Sequence, residues 1–216
     1  MKKYKTFIFD LDGTLLDTLD DLASAVNYAM QAKNYPACSK GTVSKNLGHG
    51  VRHLISHCLP EGLDQDLVEE SLSVFRAYYS IHDKDETKLF PGMKETLEEL
   101  KRRKIAMAIV SNKFHGAVLD LRQHYFDGLI DHAVGESAEH AKKPAPDLVL
   151  ASMELLEVDP ADTVYIGDSE VDAETAENAG LDCLLCQWGL RSRAQLERET
   201  TVGILTRPEE LLAYAM

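Results

Sequence analysis

Residues 7–15 read Phe-Ile-Phe-Asp-Leu-Asp-Gly-Thr-Leu, an apolar run that meets two carboxylates and a Gly-Thr turn. The run from Thr6 to Phe9 is aromatic or β-branched and shows no polar alternation. This pattern is typical of a strand buried on both faces of a parallel sheet. Ligands of such sheets bind just beyond the carboxyl ends of the strands. Because Asp10 and Asp12 follow the strand directly, the sequence predicts a functional site at this edge.

The spacing of these two carboxylates indicates their chemistry. Residues i and i+2 of an extended chain point to the same side, so Asp10 and Asp12 repel each other. The usual remedies are a divalent cation or a raised pKa on one of them. Gly13 allows a sharp turn whose backbone N–H groups can face an anion. The Asp-Leu-Asp tripeptide alone could also be solvated loop charge.

Composition and charge narrow the possible partners. The chain has 216 residues, of which 44% are hydrophobic and 27% charged, and its formal net charge is -13. This size fits one large domain, or one domain with a smaller insert. The negative charge argues against nonspecific binding to nucleic acid or to an anionic membrane. An enzyme of this charge with an anionic substrate would need local cations or a metal.

The cysteines and the hydropathy predict a cytoplasmic protein. Cys38, Cys58, Cys183 and Cys186 are irregularly spaced and do not resemble a disulfide framework. Cys183 and Cys186 lie in an apolar run typical of a strand, which favours core cysteines over a zinc or redox pair. We find no signal peptide and no apolar stretch of about 18 residues, so a reducing cytoplasm is the expected location.

Residues 17–85 carry only helical patterns. Apolar residues recur at helical spacing over residues 19–30, and residues 18–21 resemble a capping box. Two further helices are predicted over residues 51–58 and 65–82. We therefore expect an all-helical domain of residues 17–85.

Strands and helices alternate in the rest of the chain. Strands are predicted over residues 105–110, 129–133, 163–166 and 182–186, each preceded by a helical pattern. Repeated βα units imply a parallel sheet with helices on both faces. The expected fold class is α/β: a Rossmann-like three-layer parallel-sheet core, formed by residues 1–16 and 86–216, with the all-helical domain inserted after the first strand.

Polar clusters follow three later segments of this predicted sheet. The first is Ser111-Asn112, the second is Lys142-Lys143-Pro144, and the third runs from Asp168 to Asp172. Each alone could be a turn, a solvated loop or a helix cap. Their joint occurrence after predicted strands favours convergence on the edge that carries Asp10 and Asp12.

These segments resemble, in the same order, the four motifs of the haloacid dehalogenase superfamily. The resemblance covers the whole core and implies an aspartyl-phosphate mechanism. Asp10 would be the nucleophile, and Asp12 would be the general acid and base. The carboxylate at Asp12 favours phosphoryl transfer, because the dehalogenase branch lacks it. Mg²⁺ would be bound by Asp10, Asp168 and the backbone carbonyl of Asp12.

The resemblance also implies the residues that bind the phosphoryl oxygens. These would be Thr14, Ser111, Asn112 and Lys143, together with backbone N–H groups near Gly13 and Asn112. Asp172 would orient Lys143 or a metal-bound water. Lys142 could replace Lys143 on composition alone, but the family pattern has the lysine directly before proline.

The helical insert resembles the cap of the phosphoglycolate phosphatase branch. The likeness lies in residues 17–30 and 47–55, although that branch usually carries Gly-Asn-Gly where this chain has Gly48-His49-Gly50. Such caps close over the site and select the substrate. Gly48, His49, Gly50 and Arg52 are therefore candidate substrate contacts. His49, His53 and His57 share one helix face, where packing is favoured over metal binding.

The sequence thus predicts a Mg²⁺-dependent phosphatase of a small phosphorylated metabolite, with 2-phosphoglycolate as the best single candidate. The alternatives on the same core are a sugar-phosphate mutase of the β-phosphoglucomutase type and a pyrophosphatase or nucleotidase. A binding protein without turnover is disfavoured, because Asp10, Asp12, Ser111, Lys143 and Asp168 are all present. The expected assembly is a monomer or a homodimer, without nucleic-acid or membrane partners.

Overall fold

The computed structural model of the chain describes residues 2–130 and 132–216. Met1 and Asp131 fall in the predicted core, Asp131 also in the strand predicted over 129–133, and both lie outside the described residues. The chain divides into two compact units. The larger unit comprises the chain up to Leu16 and from Leu89 onward, and the smaller unit comprises Asp17–Lys88.

The strands are β1 (Thr6–Phe9), β2 (Leu16–Asp17), β3 (Lys88–Leu89), β4 (Ala106–Phe114), β5 (His132–Glu136), β6 (Thr163–Gly167), β7 (Asp182–Cys186) and β8 (Gly203–Leu205). The helices are α1 (Leu19–Ala32), α2 (Lys40–Lys45), α3 (Val51–Cys58), α4 (Gln65–Tyr79), α5 (Met93–Arg102), α6 (His115–Phe126), α7 (Asp147–Leu156), α8 (Glu170–Asn178) and α9 (Arg193–Leu196).

The larger unit is built on a parallel sheet of six strands in the order β5-β4-β1-β6-β7-β8. The central strand is β1, whose Phe9 lies opposite Ile109 of β4 and Ile166 of β6. Asp10 therefore leaves the sheet at the same level as Val110 and Gly167. This register brings the polar residues that follow the three strands to one edge.

Helices cover both faces of this sheet. Phe7 and Phe9 belong to one apolar cluster with residues of α5 and α6, whereas Ile8 belongs to a second cluster with residues of α7 and α8. Because both faces of β1 are covered, all four residues of the strand are buried and the strand shows no alternation of apolar and polar residues. Cys186 lies in the first cluster and Cys183 in the second, as expected for core cysteines. The predicted three-layer α/β fold is confirmed.

Several local predictions need correction. The strand predicted over residues 129–133 is shifted and spans His132–Glu136. The strand predicted over residues 105–110 begins at Ala106 and continues to Phe114. Its register with β5 shifts between Ser111 and Phe114, so the polar residues 111–113 lie in an irregular end of the strand. Thr18 is the N-cap of α1 but makes no side-chain cap hydrogen bond. The capping box fails because the Asp21 carboxylate instead accepts the backbone N–H groups of Glu86 and Thr87. The short strand β8 and the short helix α2 were not predicted.

The smaller unit contains helices α1 to α4. Buried residues of α1 and α4, including Val26, Met30 and Phe75, form its interior. The stacked rings of Tyr28 and Tyr78, with centroids 4.2 Å apart, add a contact between these two helices. Among the described residues, no helix is both long enough and apolar enough to cross a membrane.

Candidate active site

Three buried carboxylates meet where β1 and β6 end. Asp10 follows β1, Asp168 follows β6, and Asp172 lies in the first turn of α8. One oxygen atom from each lies within 4.8 Å of the others. None of the three residues is more than 6% exposed. Like charges this close, away from water, need a cation to remain ionised together.

One lysine supplies part of that positive charge. The Lys143 ammonium donates to Asp10 Oδ1 at 2.7 Å, to Asp172 Oδ1 at 2.8 Å and to the Tyr165 hydroxyl at 3.0 Å. Burial alone would lower the pKa of Lys143, but Asp10 and Asp172 outweigh burial and raise it well above its usual value. Lys143 is therefore a fixed cation. Its neighbour Lys142 is exposed, so the lysine before the proline is the one in the site.

The side chain of Asn112 holds Lys143 in place. The Asn112 amide donates to the Lys143 carbonyl at 2.9 Å and accepts the Lys143 N–H at 2.7 Å. This reciprocal pair joins the end of β4 to the segment before α7. The Asn112 side chain therefore positions the lysine, and any contact of Asn112 with a phosphoryl group would come from its backbone.

Asp172 is saturated with hydrogen bonds. Its Oδ1 accepts from Lys143 and from Tyr165, at 2.8 and 3.2 Å, and its Oδ2 accepts from Asp168 N, Ser169 N and the Ser169 hydroxyl. A side chain at Gly167 would overlap this carboxylate. Because all its acceptor sites are used, Asp172 orients Lys143 and leaves Asp10 and Asp168 as the carboxylates that can bind a metal.

Asp168 lies against backbone on two sides. Its Oδ2 accepts the Leu190 N–H at 2.6 Å. A Cβ atom at Gly13, which has a φ of 87°, would lie 2.5 Å from the same oxygen. Only glycine allows both this φ and this approach. The sharp turn predicted at Gly13 therefore also makes room for a carboxylate from the neighbouring strand.

The electrostatics of the cluster favour protonation when no further cation is present. Burial raises the pKa of Asp10 to about 7, with Asp172 and Asp12 adding to the rise and Lys143 opposing it. Burial, together with Asp172 and Asp10, raises the pKa of Asp168 well above its usual value. One lysine is thus too little positive charge for three carboxylates. Hard oxygen donors in this arrangement suit Mg²⁺ and similar cations.

The remaining predicted core residues surround this cluster. Asp12 pairs with Lys113, whose ammonium lies 3.0 Å from its Oδ1, so the side chain of Asp12 is not part of the three-carboxylate group. Ser111 is buried and its hydroxyl accepts the Lys113 N–H. The hydroxyl of Thr14 is buried without a hydrogen-bond partner among the residues that the structure describes. A buried donor of this kind is suited to an incoming anion.

Sequence reasoning missed two cations near the site. Lys113, at the irregular end of β4, pairs with Asp12, and Arg191 makes a two-point ion pair with Glu170 at 2.8 and 2.9 Å. Lys113 directly follows Ser111-Asn112, and that position was a usable signal. Arg191 lies 21 residues from its partner in sequence, and only the fold reveals the pair.

The predicted substrate contacts of the insert lie in the smaller unit. Gly48 and Gly50 have φ values of 104° and 90°, conformations that favour glycine. Arg52 forms an ion pair with Glu69 of α4. The rings of His53 and His57 stack with centroids 3.9 Å apart, and the ring of His49 is tilted by 41° against that of His53, with centroids 4.7 Å apart. Contact of Gly48, His49, Gly50 or Arg52 with a substrate stays a prediction.

A parallel sheet whose carboxyl edge holds a lysine among buried aspartates defines a hydrolase of the haloacid dehalogenase type. The profile of the family described as haloacid dehalogenase-like hydrolase matches residues 7–186. The chain belongs to this family. The predicted superfamily is thereby confirmed.

Curated relatives carry a more specific name. The chain is 32% identical over 211 residues to a phosphoglycolate phosphatase of Aquifex aeolicus, covering 96% of this chain and 95% of the relative. It is 37% identical over 183 residues to a phosphoglycolate phosphatase of Vibrio parahaemolyticus, covering 82% and 80%. The chain is therefore similar to phosphoglycolate phosphatases over most of its length, and the prediction of a hydrolase similar to this branch is confirmed.

Solved structures agree with this assignment. A haloacid dehalogenase-like family hydrolase of Streptococcus pneumoniae has a TM-score of 0.87 at 26% identity, covering 98% of each chain. A candidate phosphoglycolate phosphatase of Lactobacillus delbrueckii subsp. bulgaricus has a TM-score of 0.91 at 34% identity, covering 97% of each chain.

Proposed function

We propose that the protein is a Mg²⁺-dependent phosphatase that hydrolyses 2-phosphoglycolate through an aspartyl-phosphate on Asp10. The observation that carries the proposal is the buried group of Asp10, Asp168 and Asp172, in which Lys143 bridges Asp10 and Asp172. The names of the curated relatives support the choice of substrate.

Asp10 has the position and environment of a nucleophile. Its Oδ1 is held by Lys143 at 2.7 Å, so the orientation of the carboxylate is fixed before a substrate binds. Attack of an Asp10 oxygen on phosphorus forms the O–P bond while the bond to the leaving alkoxide breaks. Lys143, Ser111, Thr14 and nearby backbone N–H groups would stabilise the phosphoryl oxygens.

Asp12 would transfer the protons. It follows Asp10 by two residues and is held by Lys113 at 3.0 Å. As a general acid it would protonate the leaving alkoxide, and as a general base it would then take a proton from the water that hydrolyses the acyl-phosphate.

The donor set fits a hard divalent cation. Asp10 and Asp168 offer carboxylate oxygens, and the backbone carbonyl of Asp12 is the third predicted ligand, whereas the carboxylate of Asp172 is already saturated. When bound, Mg²⁺ would neutralise the carboxylates and the phosphate dianion so that they can approach each other.

The substrate is a small phosphorylated metabolite, and the smaller unit, Asp17–Lys88, serves as the cap that selects it. The cytoplasmic location and a monomeric or homodimeric state stay predictions.

The test is phosphate release from a panel of esters, with and without Mg²⁺. The panel contains 2-phosphoglycolate, β-glucose 1-phosphate, nucleoside monophosphates and pyrophosphate. We expect Mg²⁺-dependent release that is fastest for 2-phosphoglycolate and falls at least about 10³-fold in Asp10→Asn. Asp182→Asn, a carboxylate at the start of β7, is the matched control and should keep its activity.

Other results would redirect the assignment. Isomerised glucose phosphate without net phosphate release would indicate a sugar-phosphate mutase. Preference for pyrophosphate or for a nucleotide would indicate a pyrophosphatase or a nucleotidase. A folded, Mg²⁺-binding protein without turnover of any ester would contradict the phosphatase proposal.

A further inference from the structure

Two cysteines that are distant in sequence meet in the smaller unit. The Sγ atoms of Cys38 and Cys58 lie 2.7 Å apart, although 20 residues separate them along the chain. Both residues are half-buried, so neither is sealed from solvent. Cys183 and Cys186 differ from this pair, because they are fully buried on opposite faces of the sheet.

The backbone on each side of the sulfur pair is anchored. The Asn27 side chain on α1 accepts the Cys38 N–H at 2.8 Å and donates to the Cys38 carbonyl at 3.1 Å. Cys58 is the last residue of α3, and the helix hydrogen bond from Leu59 N to Ile55 O closes the turn that holds it. The two sulfur atoms therefore face each other from fixed positions and do not meet by chance motion of a loop.

We propose that Cys38 and Cys58 are a reversible disulfide site that locks the smaller unit under oxidising conditions. The oxidant would be a peroxide, and the reductant that reverses the reaction would be a dithiol. The bond would join the segment before α2 to the end of α3, and it would close a loop that contains the predicted substrate contacts 48–50 and 52.

The reaction balances in two steps. The Cys38 thiol releases its proton, and the thiolate attacks one oxygen of hydrogen peroxide; the O–O bond breaks, Cys38 sulfenic acid forms, and the leaving hydroxide takes up the released proton to give water. The Cys58 sulfur then attacks the Cys38 sulfur, the S–O bond breaks, and a second water leaves as the disulfide forms. Two thiols lose two electrons in total, and one peroxide is reduced to two waters.

The surroundings of the pair favour this order of events. Burial and the neighbouring Cys38 raise the pKa of the Cys58 thiol well above its usual value. The thiolate is the form that reacts with peroxide, so this rise disfavours Cys58 as the first sulfur to be oxidised. Cys38 is thus the expected site of sulfenic acid, and Cys58 is the resolving thiol.

The test is peroxide treatment of the reduced full-length protein, followed by thiol counting in denaturant and peptide mapping. We expect the wild type to keep two of its four thiols, to lose the mass of two hydrogen atoms, and to yield one linked peptide pair containing Cys38 and Cys58. Dithiothreitol should restore all the thiols. The oxidised protein should melt about 5 to 10 °C higher than the reduced protein, because the closed loop restricts the unfolded chain.

Single serine variants separate the roles of the two sulfurs. Cys58→Ser should accumulate a sulfenic acid at Cys38 that dimedone traps, whereas Cys38→Ser should leave Cys58 reduced. Neither variant should show the rise in melting temperature. Cys183→Ser should form the same disulfide, keep one of its three thiols and show the same rise. Circular dichroism of the reduced variants checks that each is folded.

Two results would overturn the proposal. One is a wild-type protein in which Cys38 becomes a dimedone-reactive sulfenic acid but no disulfide forms. The other is a wild type that keeps all four thiols while Cys58→Ser is readily oxidised at Cys38. Thiol counting needs no substrate, so these results are independent of whether the phosphatase proposal holds.

Discussion

Both units of the chain bury carboxylates, but they stabilise them differently. In the smaller unit, Asp21 accepts the backbone N–H groups of Glu86 and Thr87 and the Thr87 hydroxyl. In the larger unit, Asp10, Asp168 and Asp172 lie within 4.8 Å of one another and share one lysine. Asp21 is satisfied by neutral donors of its own unit, whereas the cluster contains more negative charge than its lysine neutralises.

The difference shows that burial alone does not identify a functional carboxylate. Asp21 is as deeply buried as Asp168, at 2% exposure each, yet its surroundings explain it as a structural tie between α1 and the residues before β3. The cluster of Asp10, Asp168 and Asp172, in contrast, needs a further cation besides Lys143 to balance its negative charge. Unbalanced charge that the fold maintains is the feature that marks the active site.

The largest expected effect comes from removing the shared lysine. Lys143→Met should leave Asp10 and Asp172 buried without their cation and lower the free energy of unfolding by about 3–5 kcal/mol. Hydrolysis should fall by roughly 10³-fold, because the same ammonium orients Asp10, the proposed nucleophile. Urea denaturation and phosphate release measure the two effects.

Two further variants sharpen this test. Lys142→Met, at the exposed neighbouring position, should change the free energy of unfolding by less than about 0.5 kcal/mol. Adding Asp172→Asn to Lys143→Met should recover part of the lost stability, since one of the two orphaned charges is then removed. Equal loss of stability at both lysines would contradict the account of the cluster.

A smaller effect is expected at Asp21. Asp21→Ala removes the acceptor of two backbone N–H groups and should lower the free energy of unfolding by about 2–3 kcal/mol. Hydrogen exchange should accelerate at the amides of Glu86 and Thr87. Mg²⁺ affinity should stay unchanged, because the carboxylate cluster belongs to the other unit. A loss of Mg²⁺ affinity in a folded Asp21→Ala protein would remove the distinction between the two kinds of carboxylate.

The smallest expected effect is at the exposed ion pair of the smaller unit. Arg52 and Glu69 have side chains that are 50% and 43% exposed. Glu69→Gln should therefore cost about 0.5 kcal/mol of unfolding free energy or less, and added salt should abolish the difference. Thermal denaturation at low and high salt measures it. If Glu69→Gln lowered the free energy of unfolding as much as Asp21→Ala does, exposed ion pairs would stabilise this protein as strongly as buried carboxylates, which would contradict the comparison.

The core was predictable because its signals are local and repeated. Residues 6–14 carry a buried strand, two acidic residues and a turn glycine within nine positions. In the smaller unit, the bounds of α3, Val51–Cys58, were likewise predictable, because a glycine-containing loop precedes the helix and Pro60-Glu61-Gly62 follows it. Parallel topology then assigned Ser111, Lys143 and Asp168 to the same sheet edge without any knowledge of distances.

What the sequence could not reveal depends on contacts between distant segments. Nothing in the sequence near Asn112 indicates that its side chain forms two hydrogen bonds with the backbone of Lys143, 31 residues later. The sequence around Asp21 predicted a capping box, because a local pattern contains no information about Glu86, the hydrogen-bond partner 65 residues away. The strand β8 has three residues at a sheet edge, too few for a recognisable alternation.

The most direct test of the central claim is Mg²⁺ binding measured by titration calorimetry on the wild type, Asp168→Asn and Asp21→Asn. We predict that the wild type and Asp21→Asn bind Mg²⁺ with similar affinity and that Asp168→Asn loses binding by at least about 10-fold. Without Mg²⁺, Asp168→Asn should also raise the free energy of unfolding by about 1 kcal/mol, because a neutral amide avoids the cost of burying or protonating a carboxylate at this position. Undiminished Mg²⁺ affinity in Asp168→Asn would contradict the assignment of the carboxylate cluster as the metal site.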